Sequence, residues 1–184
     1  SYFQNENVVD IARNLLSCRI RTYFNNVLTE GIICETEAYA GEKDKASHAF
    51  GGKRTERTEI MYLSGGHSYV YLCYGIHHLF NIVTAPENVP HAVLIRGIIP
   101  LRGKEIMESR RNKSLKSKNF SSGPGKAAQA LGINTKHSGL ILNGPEISIR
   151  EPLEKPKNIG ISTRIGVEYA KEDALLPYRF ILYT

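Results

Sequence analysis

Ile32-Ile33-Cys34-Glu35-Thr36-Glu37-Ala38-Tyr39-Ala40-Gly41 is the stretch on which the fold turns. Its apolar, β-branched start predicts a buried strand. On a regular strand side chains alternate, so Glu35, Glu37 and Tyr39 share one face and Cys34, Thr36 and Ala38 the other. An unpaired buried carboxylate costs several kcal/mol, and packing gives no reason to place two of them on a core strand. That face requires negative charge for some purpose, unless one Glu pairs with an Arg or Lys and the other meets solvent.

Downstream, Tyr69-Val70-Tyr71-Leu72-Cys73-Tyr74-Gly75-Ile76-His77-His78-Leu79-Phe80-Asn81-Ile82-Val83 alternates aromatic and aliphatic residues around a glycine. This predicts a β-hairpin turning near Tyr74-Gly75. A tyrosine exposed on such a tip is a wedge for a partner surface, as minor-groove proteins use to open a base step. Ala92 to Ile99 reads as another buried strand, interrupted by Arg96. A guanidinium stays charged, so Arg96 must meet an anion: Glu35, Glu37, a phosphate, or a purely structural partner. His77 and His78, consecutive on a strand, face opposite ways and do not readily chelate a metal together.

Between these strands, residues 42–57 are polar, glycine-containing and basic, which predicts an ordered loop crossing the site and carrying His48. Gly51-Gly52-Lys53-Arg54 within it offers backbone N–H groups and two cations suited to phosphate, or forms a surface turn. Upstream, Val8, Ile11, Ala12, Leu15 and Leu16 recur at helical spacing behind Asn5-Glu6-Asn7. Arg19 to Phe24 is strand-like, and Asn25-Asn26 predicts a hairpin turn into the carboxylate strand. From Leu101 to Asn119, seven basic residues face only Glu105 and Glu108, reading as a short helix and then a basic loop. Ser121 to Gly132 predicts a short helix with Pro124 in its first turn and Gly132 after its end; its N-terminus is an anion site with Lys126 nearby. The spacing is not that of a Walker motif, which excludes an NTPase of that type. Short strand-like runs follow at 146–150, 159–167 and 178–183.

The 184 residues suffice for one domain with its own core. A net charge of +6 and a pI near 9.2 point to a polyanionic partner. Cys18, Cys34 and Cys73 are odd in number and lack CxxC spacing, which argues against a disulfide framework or zinc site and for free thiols in a reducing compartment. No apolar run approaches the roughly 20 residues that span a bilayer. The expected protein is intracellular, neither secreted nor in a membrane, a monomer, and without cofactor or metal.

Glu35-Thr36-Glu37-Ala38-Tyr39 with Gly41, Asp44 and Ala46-Ser47-His48-Ala49, then Arg57-Thr58 and Met61, then Tyr69-Val70-Tyr71, Tyr74-Gly75 and Asn81, resembles the alkyladenine (3-methyladenine) DNA glycosylase family. The likeness is dense from 31 to 97, returns at 122–133, and is weak at 164–167 and 178–180. It implies an α+β (mixed) single domain over 1-184, with a curved antiparallel-rich sheet, flanking helices and a protruding hairpin. It further implies excision of damaged purines from duplex DNA by hydrolysis of the N-glycosidic bond. By the same resemblance Glu37 is the general base, Tyr39, His48 and Tyr71 form the base pocket, Tyr74 intercalates, Asn81 screens purines, and Arg96 lies near the catalytic water.

The residues fit that chemistry. Tyrosines can stack on an extruded base, worth about 1–3 kcal/mol each, and an electron-rich ring favours a cationic alkylpurine further. No lysine in the pocket stretch suggests a Schiff base, so no strand cleavage is expected. Two competing readings are a non-catalytic nucleic-acid-binding module, which two acidic residues in a basic cleft would hinder, and a carbohydrate hydrolase using Glu35 with Glu37. The latter pair would lie about 7 Å apart, but both would approach the substrate from one side.

Overall fold

The computed structural model describes residues 2–183. The chain forms one α+β unit built on an open, antiparallel eight-stranded sheet. In chain order the strands are β1 (Arg19–Phe24), β2 (Val27–Tyr39), β3 (Ser68–Cys73), β4 (His77–Thr84), β5 (His91–Arg102), β6 (Ile147–Arg150), β7 (Ile159–Ser162) and β8 (Arg179–Leu182). The helices are α1 (Val8–Asn14), α2 (Lys104–Arg111) and α3 (Pro124–Leu131).

The 13-residue β2 is the spine. On one edge it pairs with β5 along most of its length; on the other it pairs first with β1 and then, from Glu35 to Glu37, with β8. The spatial order is β3-β4-β5-β2-β1-β6, with β7 hanging from β8. Asn25 and Asn26, both at positive φ, close the β1–β2 hairpin as the sequence predicts, since asparagine tolerates the left-handed region better than most residues.

β2 and β5 each carry an extra residue where they meet. Ile33 lies opposite Ile98 and Glu35 opposite Gly97, leaving Cys34 unmatched; Thr36 lies opposite Ile95, leaving Arg96 unmatched. The two bulges offset each other, so the register recovers while the intervening side chains are re-aimed. Glu35 and Arg96 sit at this irregularity.

Behind the sheet, α1 buries Val8, Ile11 and Ala12, with Leu15 and Leu16 following. Asn7 caps the helix by accepting the Asp10 backbone N–H at 3.1 Å. Thr36, on the face of β2 away from the carboxylates, donates its hydroxyl to the Ala12 carbonyl at 2.7 Å, tying strand to helix. α3 packs on β4 and β5 and contributes Ala127, Ala128, Ala130 and Leu131 to the same core as Ile20, Ile33, Phe80 and Ile95. Its start at Pro124 and left-handed stop at Gly132 match the sequence signals.

One expectation is corrected. The strand-like run at 159–167 is a strand only to Ser162. Beyond it Arg164 turns inward to a buried carboxylate, an interaction a continuing ladder would not permit, and Gly166 takes φ +73°.

Candidate active site

Glu35 and Glu37 share a face of β2, as alternation requires, but their surroundings differ. Glu35 Oε1 accepts from two guanidiniums, Arg96 Nε at 3.1 Å and Arg179 Nη1 at 2.9 Å. Glu37 is fully buried, and its nearest cation is Arg96 Nε at 3.5 Å. Its Oε1 also accepts the Ile165 backbone N–H at 2.8 Å, and its Oε2 the Tyr39 hydroxyl at 2.8 Å. Burial raises the Glu37 pKa above the ordinary glutamate range, while Arg96, the Ile165 N–H and the Tyr39 hydroxyl pull it back. Glu35 is the better neutralised carboxylate, and Glu37 the one whose proton affinity burial raises.

Tyr39, Arg96 and Ile165, the three groups touching Glu37, all line a cavity of about 420 Å³. Glu37 therefore sits one side chain behind the wall. Tyr71 and Asn81 on the β3–β4 hairpin, together with His48, complete much of that wall. His48 Nδ1 lies 2.9 Å from the Tyr69 hydroxyl, and its ring meets Tyr71 edge-on at 4.7 Å. Burial, with Arg57 and Lys53 nearby, lowers the His48 pKa to about 4, so the imidazole is neutral at pH 7. Burial raises the hydroxyls of Tyr39 and Tyr71 too, with Glu37 adding to the effect at Tyr39; both stay protonated. Asn81 is buried and donates Nδ2 to the Tyr69 carbonyl at 3.2 Å, which fixes the orientation of its amide.

At the rim stands Tyr74, 91% exposed at the hairpin tip and at φ +51°, with Gly75 at φ +69°. A bulky residue in the left-handed region is uncommon; here the tight turn between Cys73 and His77 holds it. Exposed Leu72 and Ile76 flank it, making the tip an apolar prong.

The remaining expected residues scatter. Lys53 lines a groove running on from His48 past Phe50, Arg57 and Tyr169. Arg54 is engaged elsewhere, bonded through Nε and Nη2 to Glu59 at 2.8 and 2.6 Å and stacked on Tyr62. Lys126, in the first turn of α3, lines neither the cavity nor that groove.

Several contributors were given no role by the sequence reading, although the weak family likeness at 164–167 and 178–180 covers Arg164, Ile165 and Arg179. Arg164 is buried, bonded to Asp44 at 2.5 and 2.9 Å and to the carbonyls of Ala38 and Asp173, and lies between the rings of Tyr39 and Tyr178. It fixes Tyr39 from behind. Ile165 and Arg179 reach Glu37 and Glu35 from more than 120 residues away, a distance that local patterns do not span. Tyr69 had a usable signal, lying two residues before Tyr71 on one strand face.

The methylpurine-DNA glycosylase (MPG) family matches residues 2–184. A Chlamydia pneumoniae protein provisionally named 3-methyladenine DNA glycosylase is 45% identical over 98% of this chain and 92% of its own. A protein of the same provisional name from Chlamydia felis is 44% identical over 99% and 94%, and one from Bacillus cereus strain G9842 is 40% identical over 97% and 92%.

Proposed function

The chain belongs to the methylpurine-DNA glycosylase family, and on that premise we propose that it flips damaged purines out of duplex DNA and hydrolyses their N-glycosidic bond with a water activated by Glu37. At the coarser level, the family and its relatives' names support a 3-methyladenine DNA glycosylase, a hydrolase of DNA repair. One observation carries the finer reading: a buried, incompletely neutralised carboxylate lies directly behind an aromatic cavity whose rim bears an exposed tyrosine on a protruding hairpin.

A base inside a duplex is out of reach, so its nucleotide must rotate out, at a cost of a few kcal/mol that is lower for a poorly paired lesion. Tyr74 fills the vacated step. The base stacks in the cavity against Tyr39 and Tyr71, and Asn81 rejects normal guanine through a clash with its exocyclic amine. Glu37 then takes a proton from water as the water oxygen bonds to C1′ and the C1′–N bond breaks, the electron pair leaving with the base. The carboxylate also favours the positive charge developing on the sugar. A carboxylate has about four acceptor sites, so Glu37 can receive this water without losing Ile165 or Tyr39. Arg96, on the cavity wall beside Glu37, orients the same water.

Among the described residues no lysine lines the cavity. This supports a monofunctional enzyme that leaves an intact abasic strand. The wild type is expected to release hypoxanthine or ethenoadenine from a duplex oligonucleotide, with breakage only after alkali and no protein trapped by borohydride. Trapping would establish a lyase; duplex binding without base release from any purine lesion would favour a binding module.

A further inference from the structure

Four arginines and three carboxylates gather around the cavity, and the pairing leaves one arginine over. Arg96 and Arg179 hold Glu35, Arg96 reaches Glu37, and Arg164 holds Asp44. Among the described residues Arg57 has no carboxylate partner. Its guanidinium carbon lies 5.7 Å from the centre of the Tyr71 ring, and the side chain lines both the cavity and the groove beyond His48. His48, neutral at pH 7, adds no second charge.

We propose that Arg57 is a specificity-determining residue that favours neutral purine lesions over cationic ones. The inference rests on the glycosylase reading above. A purine stacked on Tyr71 lies within several ångströms of an uncompensated positive charge. Arg57 itself is exposed, so solvent weakens the repulsion, but the separation is shorter than a Debye length and salt does not remove it. A cationic 7-methylguanine is repelled there, and the ring's attraction for a cation is already engaged by Arg57. This reverses, at Tyr71, the gain that an electron-rich ring alone would give an alkylated base. A neutral hypoxanthine instead offers ring nitrogens and a carbonyl oxygen to a side chain that only donates hydrogen bonds. Donation also stabilises the departing base. A neutral purine accumulates negative charge as it leaves with the electron pair and gains from this, whereas a cationic purine departs neutral. Both effects act in the same direction.

The test is single-turnover release, corrected for spontaneous loss, from matched duplexes carrying one 7-methylguanine or one hypoxanthine, using wild type, Arg57→Met and Arg57→Lys. In Arg57→Met the ratio of 7-methylguanine to hypoxanthine release is expected to rise by about tenfold, the order of a charge–charge interaction across several ångströms near a protein surface. Arg57→Lys, which keeps the charge, should stay close to the wild-type ratio, and the salt dependence of duplex binding should be unchanged. If both bases are released and the ratio does not move, Arg57 is no discriminator and only this inference falls. Equal slowing of both reactions with a shallower salt dependence would make Arg57 a phosphate contact and overturn it as well. If the wild type releases neither these bases nor any other purine lesion, the glycosylase reading fails and takes this inference with it, whereas release of cationic 3-methyladenine alone would overturn only this inference.

Discussion

Glu37 and Glu35 stand two residues apart on one strand and share Arg96, yet only Glu35 is held by two guanidiniums at 3.1 Å or less. The consequence for Glu37 is a carboxyl that binds its proton more tightly in the fold than in the unfolded chain. Its favourable contribution to stability is therefore complete below the ordinary glutamate range and is lost as pH rises through the folded value. Glu37→Gln, which resembles the protonated form and still accepts the Ile165 N–H, should raise the urea midpoint at pH 8 and leave it nearly unchanged at pH 4. A lower midpoint at pH 8 would show that Glu37 is adequately paired and not poised. Alternation along β2 made the two carboxylates and Tyr39 legible as one face, and the need of Arg96 for an anion named both carboxylates among its candidate partners. Which Glu is neutralised was not legible, because the deciding groups, Arg179 and the Ile165 N–H, come from distant chain.

Two elements place these residues. β2 exchanges β1 for β8 at Glu35, and paired bulges at Cys34 and Arg96 turn the charged side chains toward each other. The β3–β4 hairpin brings Tyr71 and Asn81 to the wall and carries Tyr74 beyond it. Because Tyr74 is 91% exposed, Tyr74→Ala should leave stability within about 0.5 kcal/mol. It should slow base release from a fully paired duplex by about tenfold or more, and from a single strand much less, since only the duplex has a vacated step to fill. Equal slowing on both substrates would remove the wedge role. The hairpin was readable from its alternating aromatics and central glycine. The bulges were not, since nothing local marks a residue left unmatched across a ladder. The run at 159–167 misled because Ile, Val and Thr mark strands by composition, while Arg164 is drawn off the strand by Asp44, 120 residues earlier.

Across the whole molecule, one buried ion pair joins the two halves of the site. Asp44, in the loop after β2, also accepts the backbone N–H groups of Ala40 and Ala46, at 2.9 and 3.0 Å, so it orders its own loop while holding Arg164 against Tyr39. Removing one partner of such a pair strands the other charge. Asp44→Asn is expected to cost about 3–5 kcal/mol in urea unfolding, well above the effect of a surface substitution, and to loosen Tyr39. A loss under about 1 kcal/mol would mean that Arg164 is solvated and the clamp is not structural. The fold class and the central site were readable because strands, hairpin and capped helix announce themselves within a dozen residues. The clamp and the second wall of the site depend on where the last 25 residues cross β2, which only the folded chain reveals. The proposed hydrolysis requires Glu37 as the base that activates water. The most direct test compares wild type with Glu37→Gln in binding to, and single-turnover release from, a duplex carrying one hypoxanthine. The expected result is retained binding with release slowed by about 10²-fold or more. Release at the wild-type rate by a folded, binding-competent Glu37→Gln protein would contradict it.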